Sequence, residues 1–310
     1  MSTGRADRMR VLFSAPDAMW SEWAPALRAA CPEMVLQRGG DPSAIDAIIY
    51  APGGEIEDLS PYANARLVQS LWAGVERIVT NPTLSQPLAR MVDPGLAQGM
   101  AEYCTGWVMR AHLGMDRYVQ DGTWRNGQIP PLASERDVVI LGMGELGRAV
   151  AAMLAPIGFR LTGYSASGKP VEGVEMLAGD ALDEALERAA ILVTLLPDTP
   201  QTRGLLDASR LARLPRGAWL VNPGRGTLID DEALLAALDA GRLAHAVLDV
   251  FRTEPLPPTH PFWTHPAVTV TPHIAADTRP ETAAPVVADN LRRAMAGRPV
   301  RHLVDRQKGY

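Results

Sequence analysis

The sequence has little of what several classes of protein require. Its 310 residues include only two cysteines, and aromatic residues make up 5% of the chain. Two cysteines form neither a disulfide framework nor a metal-ligand spacing, so we expect a reducing cytoplasm, with Cys31 and Cys104 as small buried hydrophobic residues. The low aromatic content leaves few side chains that can stack on nucleic-acid bases.

Positive charge and long apolar runs are also scarce. The 30 Lys and Arg residues stand against 35 Asp and Glu residues, which gives a formal net charge of -5. This acidic balance argues against a nucleic-acid or anionic membrane partner. No apolar run approaches the ~18 residues needed to cross a bilayer. The apolar patch at residues 11–15 is too short for a secretory signal and is typical of a first β-strand.

What the chain does contain is a regular alternation of short apolar runs with helical patterns. Nine runs are predicted to be strands, at residues 10–14, 44–50, 66–71, 137–141, 159–164, 190–196, 217–222, 245–250 and 267–271. Several of them are almost continuously apolar, as expected of parallel strands buried on both faces. Helical patterns lie between them, for example at 145–154 and 231–240. This order predicts an α/β doubly wound architecture.

The number of strands is too large for one comfortable sheet, so the sequence predicts two domains. A length of 310 residues is sufficient for two domains with separate cores. A helical stretch from about 94 to 121 precedes the strong strand that begins at Asp137, and a second helix, at about 279–296, closes the chain. Long helices on either side of a strand-rich middle suggest crossings between a central and an outer domain.

The sharpest local motif is GMGELG at residues 142–147, directly after an apolar strand and directly before a helical pattern. Gly142 permits a tight turn, Gly144 lets a pyrophosphate approach the backbone, and Gly147 lets the helix pack close to the strand. The helix begins at Glu145 and Leu146, where free N–H groups and the positive dipole end face the phosphates. The alternative is a glycine-rich turn without a ligand, which this context makes less favoured than dinucleotide binding.

The next strand bears on the choice of dinucleotide. An NAD site has an acidic residue about 20 positions after the glycine motif, to hold the ribose 2′-hydroxyl. Here the strand ends in GYSASGK, and no Asp or Glu follows before Glu172. Ser165, Ser167 and Lys169 suit a 2′-phosphate better, so NADP(H) is favoured and NAD(H) is possible. The alternative is an ordinary exposed turn.

Three further predicted strands run into polar turns, which hold Arg225, Glu254 and His273. In a doubly wound sheet these carboxyl ends line the ligand cleft. Reduction of a 2-keto acid needs a guanidinium to hold the carboxylate, an acid to protonate the ketone oxygen and a hydride donor. Arg225 fits the first role and His273 the second, with Glu254 orienting the imidazole and favouring its protonated form.

Each of these residues also has a structural interpretation. Arg225 can cap a turn, Glu254 can pair with Arg252 on the surface, and His273 can be a hydrogen-bonded turn residue. Taken singly these interpretations are at least as good, but the trio together with an upstream dinucleotide loop favours catalysis.

Five motifs in fixed order give the chain a resemblance to a known family over nearly its full length. They are GMGELG (142–147), LLPDTPQTRGLL (195–206), WLVNPGRGTLIDDEAL (219–234), LDVFRTEPLPP (248–258) and TPHIAA (271–276). The chain resembles the D-isomer-specific 2-hydroxyacid dehydrogenases. LWAGVE (71–76), PLPPTHPFWTHPAVTVTPH (255–273) and HIAADTRPE (273–281) are most similar to the glyoxylate/hydroxypyruvate reductase branch.

The resemblance implies roles for specific residues. It implies the Arg225, Glu254 and His273 trio, and a substrate carboxylate held by backbone N–H groups around Ala73 and Gly74. Further residues are implied at the nicotinamide end of the cofactor, namely Asp249 on the nicotinamide amide, with Pro197, Asn222 and Pro223 bordering the ring.

The resemblance also implies an architecture of two doubly wound parallel-sheet domains, with the active site in the cleft between them. One is a discontinuous, flavodoxin-like substrate domain of residues 1–102 and 276–310. The other is a Rossmann-type dinucleotide-binding domain of residues 103–275. Members of this family are usually homodimers.

Two residues depart from the family pattern. Ala166 stands where NADP-preferring relatives often have arginine, which weakens the NADP prediction without supplying an acid for NAD. Trp72 stands where many relatives have a smaller residue, and its indole either narrows the substrate pocket or packs under the loop.

The predicted activity is therefore reduction of a small 2-keto acid, such as glyoxylate or hydroxypyruvate, to a D-2-hydroxy acid. A bulkier or phosphorylated 2-hydroxy acid is an alternative substrate, and a basic cluster would favour the phosphorylated one, but none occurs near residues 50–76. A dinucleotide-sensing module without turnover, as in the corepressors of this family, is a further alternative, against which the intact trio argues.

The remaining histidines and tryptophans are predicted to be structural. His260 and His265 lie in a Pro-rich loop where nothing nearby supplies a third zinc ligand, so no metal is expected. His112 lies on a predicted helix and His245 opens a predicted strand. Four tryptophans are expected to be core or interface residues, namely Trp107, Trp124, Trp219 and Trp263.

Overall fold

The computed structural model describes residues 8–117, 122–124, 126–127 and 129–309. Its described residues form twelve strands: β1 (Arg10–Ser14), β2 (Val35–Gln37), β3 (Ala47–Tyr50), β4 (Val68–Ser70), β5 (Leu88–Ala89), β6 (Asp137–Leu141), β7 (Arg160–Tyr164), β8 (Glu175–Leu177), β9 (Ile191–Thr194), β10 (Ala218–Asn222), β11 (Leu243–Leu248) and β12 (Val268–Val270).

The same residues form eight α-helices: α1 (Asp17–Ala30), α2 (Glu76–Val79), α3 (Pro94–Leu113), α4 (Glu145–Leu154), α5 (Leu182–Arg188), α6 (Ala208–Leu211), α7 (Asp231–Asp239) and α8 (Pro280–Met295). Across the described part of the chain, none of these helices combines the length and apolarity that a membrane span requires.

The chain divides into two compact units. Unit 1 comprises the described residues up to Leu96 and from Thr278 onward, and unit 2 comprises Ala97–Asp277. Helix α3 contributes its first residues to unit 1 and the remainder to unit 2. The expected assignment of residues 1–102 with 276–310 to substrate, and of 103–275 to the dinucleotide, stays a prediction.

Unit 1 is built on a five-stranded parallel sheet with the order β2-β1-β3-β4-β5. This is the flavodoxin-like doubly wound order. Successive residues of β1 alternate between its two faces: Val11 and Phe13 pack in a core with helices α1 and α8, whereas Leu12 packs in a second core with Ile48 and Val68. Each fully buried side chain of this size contributes about 1.5–3 kcal/mol through burial.

Unit 2 is built on a seven-stranded parallel sheet with the order β12-β11-β10-β9-β6-β7-β8. The order reverses at β6, as in a Rossmann-type sheet. Val139 and Leu141 of β6 pack on one face, and Val138 and Ile140 on the other. The predicted fold class, α/β with two doubly wound parallel sheets, is confirmed.

One predicted helix boundary is wrong within the described residues. The helix expected over 94–121 ends at Leu113, because Gly114 adopts a left-handed backbone with φ 64°. A 3₁₀ turn, Met115–Arg117, follows, and residues 118–121 lie outside the described residues.

Candidate active site

Three adjacent strands of the unit 2 sheet carry the predicted trio. Arg225 follows β10, Glu254 follows β11 and His273 follows β12. Because β10, β11 and β12 are neighbours and parallel, their carboxyl ends meet at one edge of the sheet. The structure therefore brings the three side chains to the same edge of one unit.

His273 and Glu254 form a direct hydrogen bond. The distance from Nδ1 of His273 to Oε2 of Glu254 is 2.8 Å, and Oε1 of Glu254 accepts the Phe251 N–H at 2.9 Å. Because a carboxylate only accepts, the imidazole donates from Nδ1, which leaves Nε2 to exchange a proton with another molecule. The side chains are 54% and 36% exposed, so the pair remains accessible within unit 2.

The backbone of His273 is held in an unusual conformation. Its φ is 54°, in the left-handed region that non-glycine residues seldom adopt, at a cost of the order of 1 kcal/mol. Asp249, which is fully buried, supports this turn. Its carbonyl oxygen accepts the His273 N–H, and its carboxylate accepts the N–H groups of Ile274 and Ala275, each at 2.9 Å.

Arg225 lies at the end of a tightly bonded turn. The Asn222 side chain is buried, and its Oδ1 accepts the Thr194 hydroxyl at 2.6 Å and the Gly224 N–H at 3.2 Å. Nδ2 of Asn222 donates to the Arg225 carbonyl at 3.0 Å, and Nη1 of Arg225 donates to the Gly224 carbonyl at 2.8 Å. These bonds fix the direction in which the half-buried Arg225 leaves the sheet.

The Arg225 turn is packed directly against the loop that holds Glu254. A Cβ on Gly226 would lie 2.1 Å from the carbonyl carbon of Phe251, so only glycine fits there. Phe251 in turn donates its N–H to Glu254. The positive charge of Arg225 also reaches Asp198: burial raises the pKa of this carboxyl, but hydrogen bonds from Arg203 and the nearby guanidinium charges leave it below its ordinary value.

The GMGELG loop has the geometry of a phosphate cradle. Gly142 has φ 104°, and a Cβ there would lie 2.6 Å from the Leu195 backbone. A Cβ on Gly147 would lie 2.0 Å from the Gly142 carbonyl oxygen, whereas one on Gly144 would meet nothing within 4 Å. Two glycines therefore serve close packing, and the third faces open space.

Helix α4 presents donors to that space. Gly144 is its N-cap, and the Arg148 N–H donates to the Gly144 carbonyl at 3.0 Å. The preceding N–H groups, including those of Glu145 and Leu146, have no acceptor within the helix. A negatively charged pyrophosphate fits this arrangement.

The turn after β7 lies beside the same loop, because the Gly142 N–H donates to the Tyr164 carbonyl at 2.8 Å. The Ser165 hydroxyl accepts the Gly168 N–H at 3.2 Å, while Ser167 and Lys169 are exposed. An exposed hydroxyl and an exposed ammonium group thus lie at the position where an NAD site would hold an acid, and both are groups that bind a 2′-phosphate.

The residues predicted at the nicotinamide end take structural bonds in unit 2. The Pro197 carbonyl accepts the Thr202 hydroxyl at 2.6 Å, and Pro223 is buried in the Asn222 turn. The Asp249 carboxylate binds donors of its own chain, as described above. Their contacts with a cofactor stay predictions. The support that Asp249 gives to the His273 turn was not predicted, although an acid directly after a buried strand must find donors.

The Trp72 loop follows β4 in unit 1. The backbone N–H of Trp72 donates to the Ser70 hydroxyl at 2.9 Å, and its backbone carbonyl accepts the Met91 N–H at 3.1 Å. The indole is partly buried against the core of unit 1. The indole therefore packs on the core of unit 1, and both interpretations of its role at the substrate pocket stay predictions. The role of the Ala73 and Gly74 N–H groups stays a prediction.

Two of the histidines assigned structural roles lie away from the trio. His112 packs edge-on against Phe159, and His245 stacks on Trp219 with ring centroids 4.6 Å apart. They line a cavity of about 310 Å³ that reaches the amino ends of β9 and β11, opposite the edge that carries His273. Burial lowers the pKa of both imidazoles, so both are uncharged at neutral pH.

Comparison with known proteins agrees with this geometry. A family model described as the NAD-binding domain of D-isomer-specific 2-hydroxyacid dehydrogenases matches residues 107–275. The chain is 38% identical to glyoxylate/hydroxypyruvate reductase A of Serratia proteamaculans, an alignment that covers 97% of this chain and 100% of that protein.

Solved structures give the same relationship. A D-isomer-specific 2-hydroxyacid dehydrogenase from Xanthobacter autotrophicus Py2, in complex with NADPH and MES, superposes with a TM-score of 0.92 at 37% identity, covering 98% of this chain and 100% of that one. An NADPH-dependent glyoxylate/hydroxypyruvate reductase from Sinorhizobium meliloti, with NADP and sulfate, has a TM-score of 0.87 at 34% identity, covering 97% and 100%.

Proposed function

The chain belongs to the D-isomer-specific 2-hydroxyacid dehydrogenase family, and on that premise we propose that it reduces small 2-keto acids of the glyoxylate and hydroxypyruvate type with NADPH. The products would be D-2-hydroxy acids. The observation that carries this proposal is the His273–Glu254 hydrogen bond at the strand edge that also holds Arg225.

Each residue of the trio has a chemical task in this proposal. The bound cofactor supplies the hydride. The Arg225 guanidinium holds the substrate carboxylate and polarises the carbonyl group. His273 delivers a proton from Nε2 to the developing alkoxide, because its Nδ1 is already engaged by Glu254. The Glu254 carboxylate orients the ring through its hydrogen bond to Nδ1.

The activity is tested by measuring absorbance of the reduced nicotinamide with a panel of 2-oxoacids. We expect wild-type turnover with glyoxylate or hydroxypyruvate, and a loss of about 10²–10⁴-fold in His273→Ala. His265→Ala is the matched control, because His265 also pairs with a carboxylate, that of Asp239, at 3.2 Å. Absence of turnover with every 2-oxoacid and either cofactor would refute the activity, and unimpaired His273→Ala would remove His273 from the mechanism.

The cofactor preference is proposed to be NADP(H) over NAD(H). Ser167 and Lys169 in the turn after β7 support it, as do the relatives solved with NADPH or NADP. Lys169→Ala should weaken NADPH binding by about ten-fold and leave NADH binding unchanged, since only the 2′-phosphate gains from the ammonium charge. Lys308→Ala, the other lysine of the chain, is the control. Equal affinities of the wild type for the two cofactors, by fluorescence titration, would contradict the preference.

A homodimer in the cytoplasm is proposed as the physiological form. Apolar side chains that a monomer would leave in water support it, since Trp124 is 88%, Ile129 is 90% and Leu132 is 70% exposed. Analytical ultracentrifugation tests the dimer, and Trp124→Ser with Ile129→Ser should shift the protein toward a monomer. Both cysteines are buried thiols, which agrees with a reducing compartment.

A further inference from the structure

Asp249 accepts hydrogen bonds from three consecutive backbone N–H groups of the His273 turn. Its carbonyl oxygen takes the N–H of His273, and its two carboxylate oxygens take those of Ile274 and Ala275. The imidazole is therefore placed by a fully buried acid directly after the neighbouring strand β11, rather than by β12 alone.

A chain of two hydroxyl groups leads into that acid from helix α3. The Thr271 hydroxyl lies 2.5 Å from Oδ1 of Asp249, and the Tyr103 hydroxyl lies 2.7 Å from Oγ1 of Thr271. The carboxylate only accepts, so Thr271 donates to Asp249 and Tyr103 must donate to Thr271. Burial raises the pKa of Tyr103 well above its ordinary value of 10.0, so this hydroxyl keeps its proton.

The chain of donors limits where the carboxylate can sit. Oδ1 of Asp249 accepts both the Thr271 hydroxyl and the Ile274 N–H, so two donors hold this oxygen. Linked hydrogen bonds in a buried site strengthen one another. The His273 backbone has φ 54°, a conformation that persists only where surrounding contacts hold it in place.

We propose that Tyr103 and Thr271 are positioning residues for His273, acting through Asp249. The inference rests on the proposed reductase activity, in which His273 is the acid. Neither hydroxyl touches the imidazole, and their effect is to keep its Nε2 at the distance that proton transfer requires.

The test compares kcat and KM of Tyr103→Phe and Thr271→Val with the wild type, using NADPH and the 2-keto acid with the highest turnover. We expect kcat to fall by about ten-fold, because a misplacement of the catalytic group by one ångström costs up to about 10²-fold in rate. The KM for the 2-keto acid should stay within about two-fold of the wild-type value. Thr271→Ser keeps the hydroxyl and should restore most of kcat. Tyr103→Phe should add nothing in a Thr271→Val background, because its bond ends on that hydroxyl.

A second measurement is independent of turnover. Hydrogen–deuterium exchange of the peptide that contains Ile274 and Ala275 should quicken in both variants. Thr269→Val is the control, because it removes a hydroxyl from β12 that bonds to His245 at 2.8 Å, and it should change neither kcat nor this exchange.

Some outcomes would overturn the inference. They are wild-type kcat in Tyr103→Phe and Thr271→Val, additive losses in the double variant, or unchanged amide exchange. If the wild-type protein reduced no 2-keto acid, the proposed activity would fail, and the exchange measurement would still decide whether the hydroxyls hold the His273 turn.

Discussion

Replacing Gly144 with alanine should weaken the binding of the cofactor without lowering the free energy of unfolding. Gly144 has φ -76° and ψ -160°, a conformation open to any residue, and an added Cβ meets nothing within 4 Å. Folding should therefore tolerate the change, and the loss of glycine's freedom in the unfolded chain should raise the free energy of unfolding by about 0.4–1 kcal/mol.

Cofactor binding should respond in the opposite direction. The added methyl group stands in the space that faces the N-terminus of α4, where the pyrophosphate would accept backbone N–H groups. One lost hydrogen bond to a charged group, at about 1.5–3 kcal/mol, raises the Kd for NADPH by about 10- to 150-fold. Fluorescence titration measures the Kd, and thermal unfolding without cofactor measures the stability.

Gly147→Ala is the comparison that makes the result interpretable. Its Cβ would lie 2.0 Å from the Gly142 carbonyl oxygen, so the backbone must move, at a cost of about 1–3 kcal/mol or about 2–5 °C in Tm. Unchanged NADPH affinity in Gly144→Ala, or a fall in Tm as large as that of Gly147→Ala, would refute the assignment of Gly144 to a phosphate cradle.

Three further predictions follow from contacts in unit 2. Glu254→Gln keeps an acceptor for the Phe251 N–H but removes the charge beside His273, so kcat should fall by about ten-fold or more at a nearly unchanged Tm, and an unaltered kcat would remove Glu254 from the proposed mechanism. Asn222→Ala leaves the Thr194 hydroxyl and the Gly224 N–H without their acceptor, so chemical denaturation should show a loss of at least about 1–3 kcal/mol; a smaller loss would mean that the turn relaxes. Burial lowers the pKa of His112 below its ordinary 6.5, so the unfolded chain takes up the proton first and the free energy of unfolding should decline as the pH falls through that value. His112→Gln should therefore show a shallower decline of Tm with falling pH. An equal slope in the variant would contradict a lowered pKa of His112 in the folded protein.

The sequence predicted the central strands of both sheets and one edge strand, β12, but missed the other three edge strands. Strand β6 and helix α4 have the predicted bounds, because a buried strand followed by glycines and a helical pattern is a strong local signal. Strands β2, β5 and β8 were not predicted. All three are short strands at sheet edges, and β8 is only partly buried, so none carries the long apolar run that marks a central strand.

The residues at the strand ends were predictable in the same way, but the hydrogen bonds that support the His273 turn were not. Arg225, Glu254 and His273 follow apolar runs, so an α/β arrangement alone places them at one edge. The bond between Tyr103 and Thr271 joins residues 168 positions apart, and no periodicity or motif connects them. Contacts of this kind depend on how α3 packs within unit 2, which local patterns do not encode.

All three side chains of the proposed trio, Arg225, Glu254 and His273, belong to unit 2, within one uninterrupted stretch of chain between Ala97 and Asp277. The residues of the proposed proton transfer are thereby encoded separately from the segments before and after this stretch. A chimera that keeps residues 97–277 and takes its flanking segments from a relative would inherit the acid, its orienting carboxylate and the guanidinium intact. Such an exchange leaves the sequence of all three residues, and of the turns that hold them, unchanged.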